Sequence, residues 1–317
     1  MHNPRPLKIG LALGSGSARG WSHIGVIRVL ERAGVVPDIV CGSSIGALVG
    51  AAYAAGQLDR LEDWVRGLKW QAVVALLDFT TLSGGLIQGE KLLGFFRRHF
   101  EDHAIADLRM DFGAVATELT SGREVWLREG SVIDAVRASI ALPGLFTPAQ
   151  MDGRLLVDGG LVNPVPVSLC RAMGADVVIA VDLNGDLISG RQLDLKAREE
   201  KAAPGGLVGW LSRLPGLRRS DSQSMSLRVP SVVDVLGVSL NIMQTHITRS
   251  RLAGEPADLT IRPRLARLAL MDFHRGELAI AEGERVAGDA LRELQGLMDA
   301  CGVELPKKPP GPLALRD

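Results

Sequence analysis

Ser44 stands between two glycines in the stretch DIVCGSSIGALVGAAYAAG, and Gly42-x-Ser44-x-Gly46 is the spacing of a nucleophile elbow. Small residues two before and two after a serine let the chain turn sharply from strand into helix without Cβ clashes. The turn lifts the hydroxyl clear of the backbone. The start of the helix that follows offers backbone N–H groups and a positive dipole end to an anionic transition state. The chemistry implied is nucleophilic attack by an oxygen. What takes the proton from that oxygen is open, because none of the six histidines stands where a partner is evident.

Two more stretches bear on that chemistry. LALGSGSARGWSHIG, Leu11 to Gly25, is a Gly/Ser loop carrying Gly14, Gly16, Arg19 and Gly20 between an apolar run and a helical pattern. Such a loop gathers backbone N–H groups into one small volume, which suits an oxyanion or a phosphate. As a dinucleotide loop it fails, because Gly14-x-Gly16-x-x-x-Gly20 is one residue too long. Arg19 either holds the loop, through an ion pair or otherwise, or meets a phosphate headgroup. The other stretch is LLVDGGLVNPVPV, where Asp158 ends a strand pattern and Gly159 and Gly160 allow another backbone or a substrate to come close. Taken alone, it reads as an Asp-Gly turn, with Asn163 and Pro164 as helix-start signals.

A serine–acid–histidine triad is one alternative, running from Ser44 to Asp158 or Asp182 and then to His246 or His274. His246 falls inside an amphipathic helical pattern and His274 just before another, where packed or capping histidines are common. His23 follows the glycine loop, and packing or a local hydrogen bond is its expected role. No H-E-x-x-H, C-x-x-C or carboxylate cluster points to a metal, so no metal is expected.

The elements that must position these groups are legible as periodic runs. Strand patterns occur at 7–13, 36–41, 112–119, 123–127, 154–158 and 176–183, and helical patterns at 24–33, 45–55, 90–100, 132–139 and 167–173. Strands apolar on both faces that alternate with helices predict a layered α/β fold with a mostly parallel sheet. In such sheets reactive groups gather at the carboxyl ends of the strands. From 184 to about 231 the chain turns rich in Gly, Pro, Ser and charge, which predicts a flexible insertion or lid. Within it, 204–219 has apolar residues near helical spacing, the pattern of an interfacial helix or of core packing. A long helix at 231–254, a strand at 257–263 and a closing helix at 277–298 follow, and the Pro-rich 303–317 reads as a disordered tail.

Composition narrows the classes. Across 317 residues, Lys plus Arg and Asp plus Glu are both 36, so no net charge argues for nucleic acid. Three scattered cysteines fit buried thiols in a reducing compartment, which makes the cytosol the expected location. No uncharged run is long enough to span a bilayer, so any membrane contact is expected to be peripheral, at the inner face.

Read in order, GSGSARG, GSSIG and DGG resemble the three signatures of the patatin-like phospholipases. The flanking WSHIGVIRVLERAG, ASIALPGLFTP and DGGLVNPVPV resemble the bacterial branch of that family, related to neuropathy-target-esterase-type domains. The resemblance covers residues 7–183 closely and extends loosely to 285, which implies a single catalytic domain over 7–285 with a three-layer α/β/α architecture. It implies a Ser-Asp dyad in which Asp158 is the base for Ser44, and oxyanion donors among the backbone N–H groups of Gly16, Ser17 and Ala18. Gly14, Arg19, Gly20, Gly42, Gly46, Gly159 and Gly160 complete the matching motifs. The implied activity is hydrolysis of a lipid carboxylic ester, of phospholipid or lysophospholipid type, with no metal or organic cofactor. A free aspartate near pKa 3.9 is a poor base for a serine, so burial must raise it. The loop departs from the family's run of glycines at Ser15 and Ser17, where positive φ would be strained. That departure motivates a second class of function, a non-catalytic adaptor that keeps the fold.

Overall fold

The computed structural model describes residues 7–76, 94, 97, 101–185 and 232–302. Residues 186–231 of the insertion expected over 184–231, including the stretch 204–219, the tail at 303–317 and most of the helix expected at 90–100 lie outside the described residues.

Apolar runs form the strands β1 (Ile9–Leu13), β2 (Ile39–Ser43), β3 (Asp111–Glu118), β4 (Glu124–Leu127), β5 (Ala149–Met151), β6 (Arg154–Asp158), β7 (Val177–Val181) and β8 (Leu259–Ile261). They make one sheet in which β3, β2, β1, β7 and β8 run parallel, while β4 and β6 lie antiparallel to β3 and β5 antiparallel to β6. The helices are α1 (Ser22–Arg32), α2 (Ile45–Ala54), α3 (Leu58–Gly67), α4 (Trp70–Leu76), α5 (Val132–Ser139), α6 (Val167–Ala172), α7 (Val232–Gly254) and α8 (Gly276–Ala300).

The central strands are apolar on both faces because both faces are covered. Leu11, Leu13, Val40, Phe112 and Ile179 pack in one cluster with residues of α1, α2 and α8, such as Ile24, Val49 and Ile280. Their strand neighbours Ala12, Ile39, Cys41, Val115 and Val178 pack in another with Val167, Leu169 and Cys170 of α6. The result is the expected three-layer α/β/α fold with a mostly parallel sheet. Elements the periodic reading did not name are β5, which has only three residues, and α3 and α4.

One feature of the sheet decides where the chemistry can lie. On β3, the amides of Asp111 and Leu119 reach β2 and the β6 strand pair respectively, donating to Asp38 O and Leu155 O, whereas Glu118 donates to Arg123 O at the start of β4. Residues of one parity point to one edge of a strand, so β2 and β6 share the same edge of β3 and β4 takes the other. β2 ends with Ser43 opposite Val115, and β6, running the opposite way, ends with Asp158 opposite Ala116. The two strands therefore meet end to end.

α1 leads out of the glycine loop, and α8 holds it against the sheet by close backbone approach. A Cβ on Gly283 would lie 2.0 Å from Ser22 O, and one on Gly25 2.0 Å from Ile280 O. Gly283→Ala should therefore lower stability by about 1–3 kcal/mol, the usual range for overpacking. Denaturant titration checks this, and an unchanged midpoint would contradict the close helix contact.

Candidate active site

Ser44 sits between the last residue of β2 and the first of α2, with φ 57 and ψ −125. Positive φ at a non-glycine residue costs on the order of 1–3 kcal/mol and persists only where the surroundings enforce it. Here the enforcement is close packing. A Cβ on Gly46 would lie 2.1 Å from Leu13 O, so only glycine lets α2 start this close to the end of β1. Ser44 N–H donates to Ser139 Oγ at 2.9 Å, and Ser44 Oγ donates to Asp158 Oδ2 at 2.5 Å.

Asp158 is fully buried. Its Oδ1 accepts from Gly160 N–H at 2.7 Å, Thr117 Oγ1 donates to its backbone oxygen at 2.8 Å, and its own N–H donates to Ala141 O at 3.0 Å. Burial pushes the carboxyl up to about 6 from its ordinary 3.8, and the hydrogen bonds from Ser44 and Gly160 pull partly the other way. A carboxylate with that pKa is ionised at neutral pH and is a better base than a free aspartate.

The glycine loop arrives at the carboxyl end of β1. Gly14 N–H donates to Val181 O at 3.0 Å and Ser15 N–H to Pro164 O at 2.8 Å. Ala18 N–H is engaged with Leu270 O at 3.2 Å, so of the three expected donors it is already committed. The N–H groups of Gly16 and Ser17 have no acceptor among the described residues. Ser17 does take positive φ, 52°, and its Oγ donates to Leu270 O at 2.6 Å, which offsets the strain. Arg19 is 1% exposed and turned inward, donating to Gly16 O, Leu183 O and Asn241 Oδ1 at 3.1, 3.3 and 2.7 Å. It braces the loop. His23 Nε2 lies 2.8 Å from Gly14 O, and burial lowers its pKa to about 4. The ring is therefore neutral near pH 7, with its proton on the nitrogen that faces the carbonyl.

Gly16, Ser17 and Ser44 open onto a pocket whose other walls are almost wholly apolar: Ile45 and Leu48 of α2, Trp64 of α3, Ile140, Leu142 and Phe146 after α5, and Leu240 of α7 are among them. Two carboxamides, Asn241 and Gln244 of α7, add the polar part of this lining. Ser15 Oγ donates to Gln244 Oε1 at 3.2 Å. Among the described residues no group of three or more side chains is arranged to hold a metal, and no helix is long and apolar enough to cross a membrane.

The structure thus brings together Ser44, Asp158, Gly160, Gly16 and Ser17, and leaves the triad candidates apart. His246 and His274 are exposed, and His274 stacks edge-on against Trp70 at 5.5 Å. The Asp182 carboxylate accepts from Asn184 N–H at 2.9 Å and lies 3.6 Å from Arg262 Nε. Sequence reasoning missed Ser139, Thr117, Asn241 and Gln244. The only signal for Ser139 was its place in ASIALPG, and for the carboxamides their spacing of three on a helix whose other face is apolar.

Residues 11–171 match the patatin-like phospholipase family. An uncharacterised NTE family protein of Mycobacterium tuberculosis is 32% identical over 91% of this chain and 92% of its own length. The human patatin-like phospholipase domain-containing protein 6 is 38% identical over 55% of this chain and 13% of its own. Among solved structures, VipD from Legionella pneumophila aligns over 94% of this chain and 79% of its own, at 12% identity and a TM-score of 0.43.

The buried carboxylate has a thermodynamic consequence. Its folded pKa, about 6, lies above the ordinary 3.8, so the folded chain holds this proton more tightly than the unfolded one. Stability is therefore lost as pH rises from about 4 to 6, and the penalty stays above that. Asp158→Asn keeps two partners, one for Gly160 N–H and one for Ser44, without the charge. It should be more stable than the parent at pH 8, by on the order of 3 kcal/mol at about 1.36 kcal/mol per pKa unit, and gain little at pH 4. Thermal midpoints of both proteins across that range would show it, and a difference independent of pH would contradict a raised Asp158.

Proposed function

The chain belongs to the patatin-like phospholipase family, and from that premise we propose that it is a serine lipid acyl hydrolase that cleaves carboxylic esters of phospholipid or lysophospholipid type with a Ser44–Asp158 dyad. The single observation that carries this reading is the hydrogen bond from Ser44 Oγ to Asp158 Oδ2 at the mouth of an apolar pocket.

In the proposed reaction, Ser44 Oγ attacks the acyl carbonyl while its proton passes to Asp158 Oδ2. The negative charge that develops on the carbonyl oxygen meets the free N–H groups of Gly16 and Ser17, donors of a kind typically worth about 3–4 kcal/mol each. Asp158 then returns the proton to the alcohol oxygen as the ester C–O bond breaks, leaving the acyl group on Ser44. Water, deprotonated by the same carboxylate, attacks that acyl-enzyme, and the tetrahedral adduct collapses to free fatty acid and Ser44. The acyl chain occupies the apolar walls throughout. The half-exposed Val235, Leu236, Ile242 and Met243, on the helix that walls this pocket, support a peripheral contact with the lipid phase.

Wild type should react with a fluorophosphonate probe and hydrolyse p-nitrophenyl esters and phospholipids, and Ser44→Ala should lose both. A wild type that neither labels nor hydrolyses would favour the adaptor. The ionised carboxylate is the active form, so kcat/KM should rise with pH through about 6 and then level. A flat profile between pH 4.5 and 7.5, or labelling that survives Asp158→Asn and fails in His246→Asn or His274→Asn, would remove Asp158 as the base.

A further inference from the structure

Parallel strands exchange regular hydrogen bonds, so the register of β2 on β3 specifies each rung. Ile39 lies opposite Asp111, and Asp111 N–H donates to Asp38 O, one residue earlier. The matching rung on the other side of each pair comes from the residue after the partner. Ser43 lies opposite Val115. The next rung should therefore run from Ser44 N–H to Val115 O. Instead, Ser44 N–H donates to Ser139 Oγ at 2.9 Å and Ser139 Oγ donates to Val115 O at 2.6 Å. One hydroxyl has been spliced into the last rung of the ladder.

We propose that Ser139 is a positioning residue for Ser44: its hydroxyl stands in for the final β2–β3 hydrogen bond and thereby fixes the bend that aims Ser44 at Asp158. The proposal rests on Ser44 being the nucleophile. Its physical logic is one of spacing. A direct rung would hold Ser44 in the strand, in line with Ser43. Inserting an oxygen lets the backbone leave β3 by one hydroxyl's width while keeping both polar groups paired, which a buried N–H and C=O require. Ser139 is fully buried and is the last residue of α5, and two residues on, Ala141 O receives the N–H of Asp158. One short segment thus fixes the backbone of both members of the dyad.

The test is Ser139→Ala, read beside Ser139→Thr, which keeps the oxygen. If the hydroxyl sets the bend, Ser139→Ala should lower kcat and the rate of fluorophosphonate labelling by about 10²-fold, the scale of an ångström-sized misplacement. KM should stay within about threefold, since the pocket walls are untouched, and Ser139→Thr should recover at least about a tenth of the lost rate. Labelling within about threefold of wild type in a folded Ser139→Ala overturns the proposal, as does an equal loss in Ser139→Thr when both proteins have native thermal midpoints. Should Ser139→Ala not fold, Ser139→Cys, which weakens both bonds at similar size, is read by the same criteria. Amide hydrogen exchange separates this outcome from a failure of the enzymatic reading. Even in a protein that never labels, exchange at Ser44 should be at least about tenfold faster in Ser139→Ala than in wild type while the body of α2 is unchanged. Equal exchange at Ser44 means that the hydroxyl does not hold the bend.

Discussion

The edge of β3 is the constraint from which the site follows. A strand edge can serve two partners in succession, and here it serves β2 up to Val115 and β6 from Ala116 onward. Because those partners run in opposite directions, their ends face the same gap, β2 presenting Ser44 just past its last residue and β6 presenting Asp158 as its last residue. Ser44 and Asp158 meet there although their motifs lie far apart in the chain. The register brings the two strand ends to one gap, the bend at Ser44 sets the final aim, and a one-residue slip of either strand would turn its side chains to the other face.

Closeness carries opposing costs that the surroundings manage. The serine takes a positive φ, and the carboxylate loses its water, with Ser44 and Gly160 as its partners. The same burial that raises its basicity therefore destabilises the ionised form, so basicity and fold stability are traded through one group. The loop beside it is held by groups that carry no charge toward the site: His23, neutral because it is buried, and Arg19, whose guanidinium is turned back onto carbonyls and Asn241. With no charge from either turned into the pocket, the Gly16 and Ser17 N–H groups are the loop donors that have no acceptor among the described residues.

Much of this was legible in the sequence wherever one stretch carries the whole signal. β1, β2, β3 and β7 read as strands because both faces are buried and the runs are continuous, and the elbow reads from Gly42 and Gly46 because the turn itself demands them. α3 went unnamed although Leu58, Leu61 and Val65 are spaced for one helical face and are buried as that spacing requires. Asp158 is the intermediate case. Its Asp-Gly turn is ordinary by local rules, and only the joint resemblance of three motifs gave it the role of base. Ser139, Asn241 and Gln244 were not legible, because each matters through a partner in another part of the chain, and a single serine or carboxamide has no spacing to betray it. The pocket was hidden for the same reason, since its walls come from α2, α3, the segment after α5 and α7.

The two serines in the glycine loop show how a local rule can mislead once tertiary partners exist. Taken alone, Ser15 and Ser17 in place of glycine argue for a strained, weakened loop. In the fold, Ser15 Oγ binds Gln244 and Ser17 Oγ binds Leu270 O, and Gln244 and Leu270 both line the pocket. The extra hydroxyls tie the loop to the walls that face it, at Ser17 with a hydrogen bond set against the cost of positive φ. A glycine at 17 would relax the backbone, but a glycine at either position would lose that tie, so a loop with serines here is physically compatible with a rigid set of donors. The departure from an all-glycine loop therefore gives no independent reason to prefer an adaptor over an enzyme.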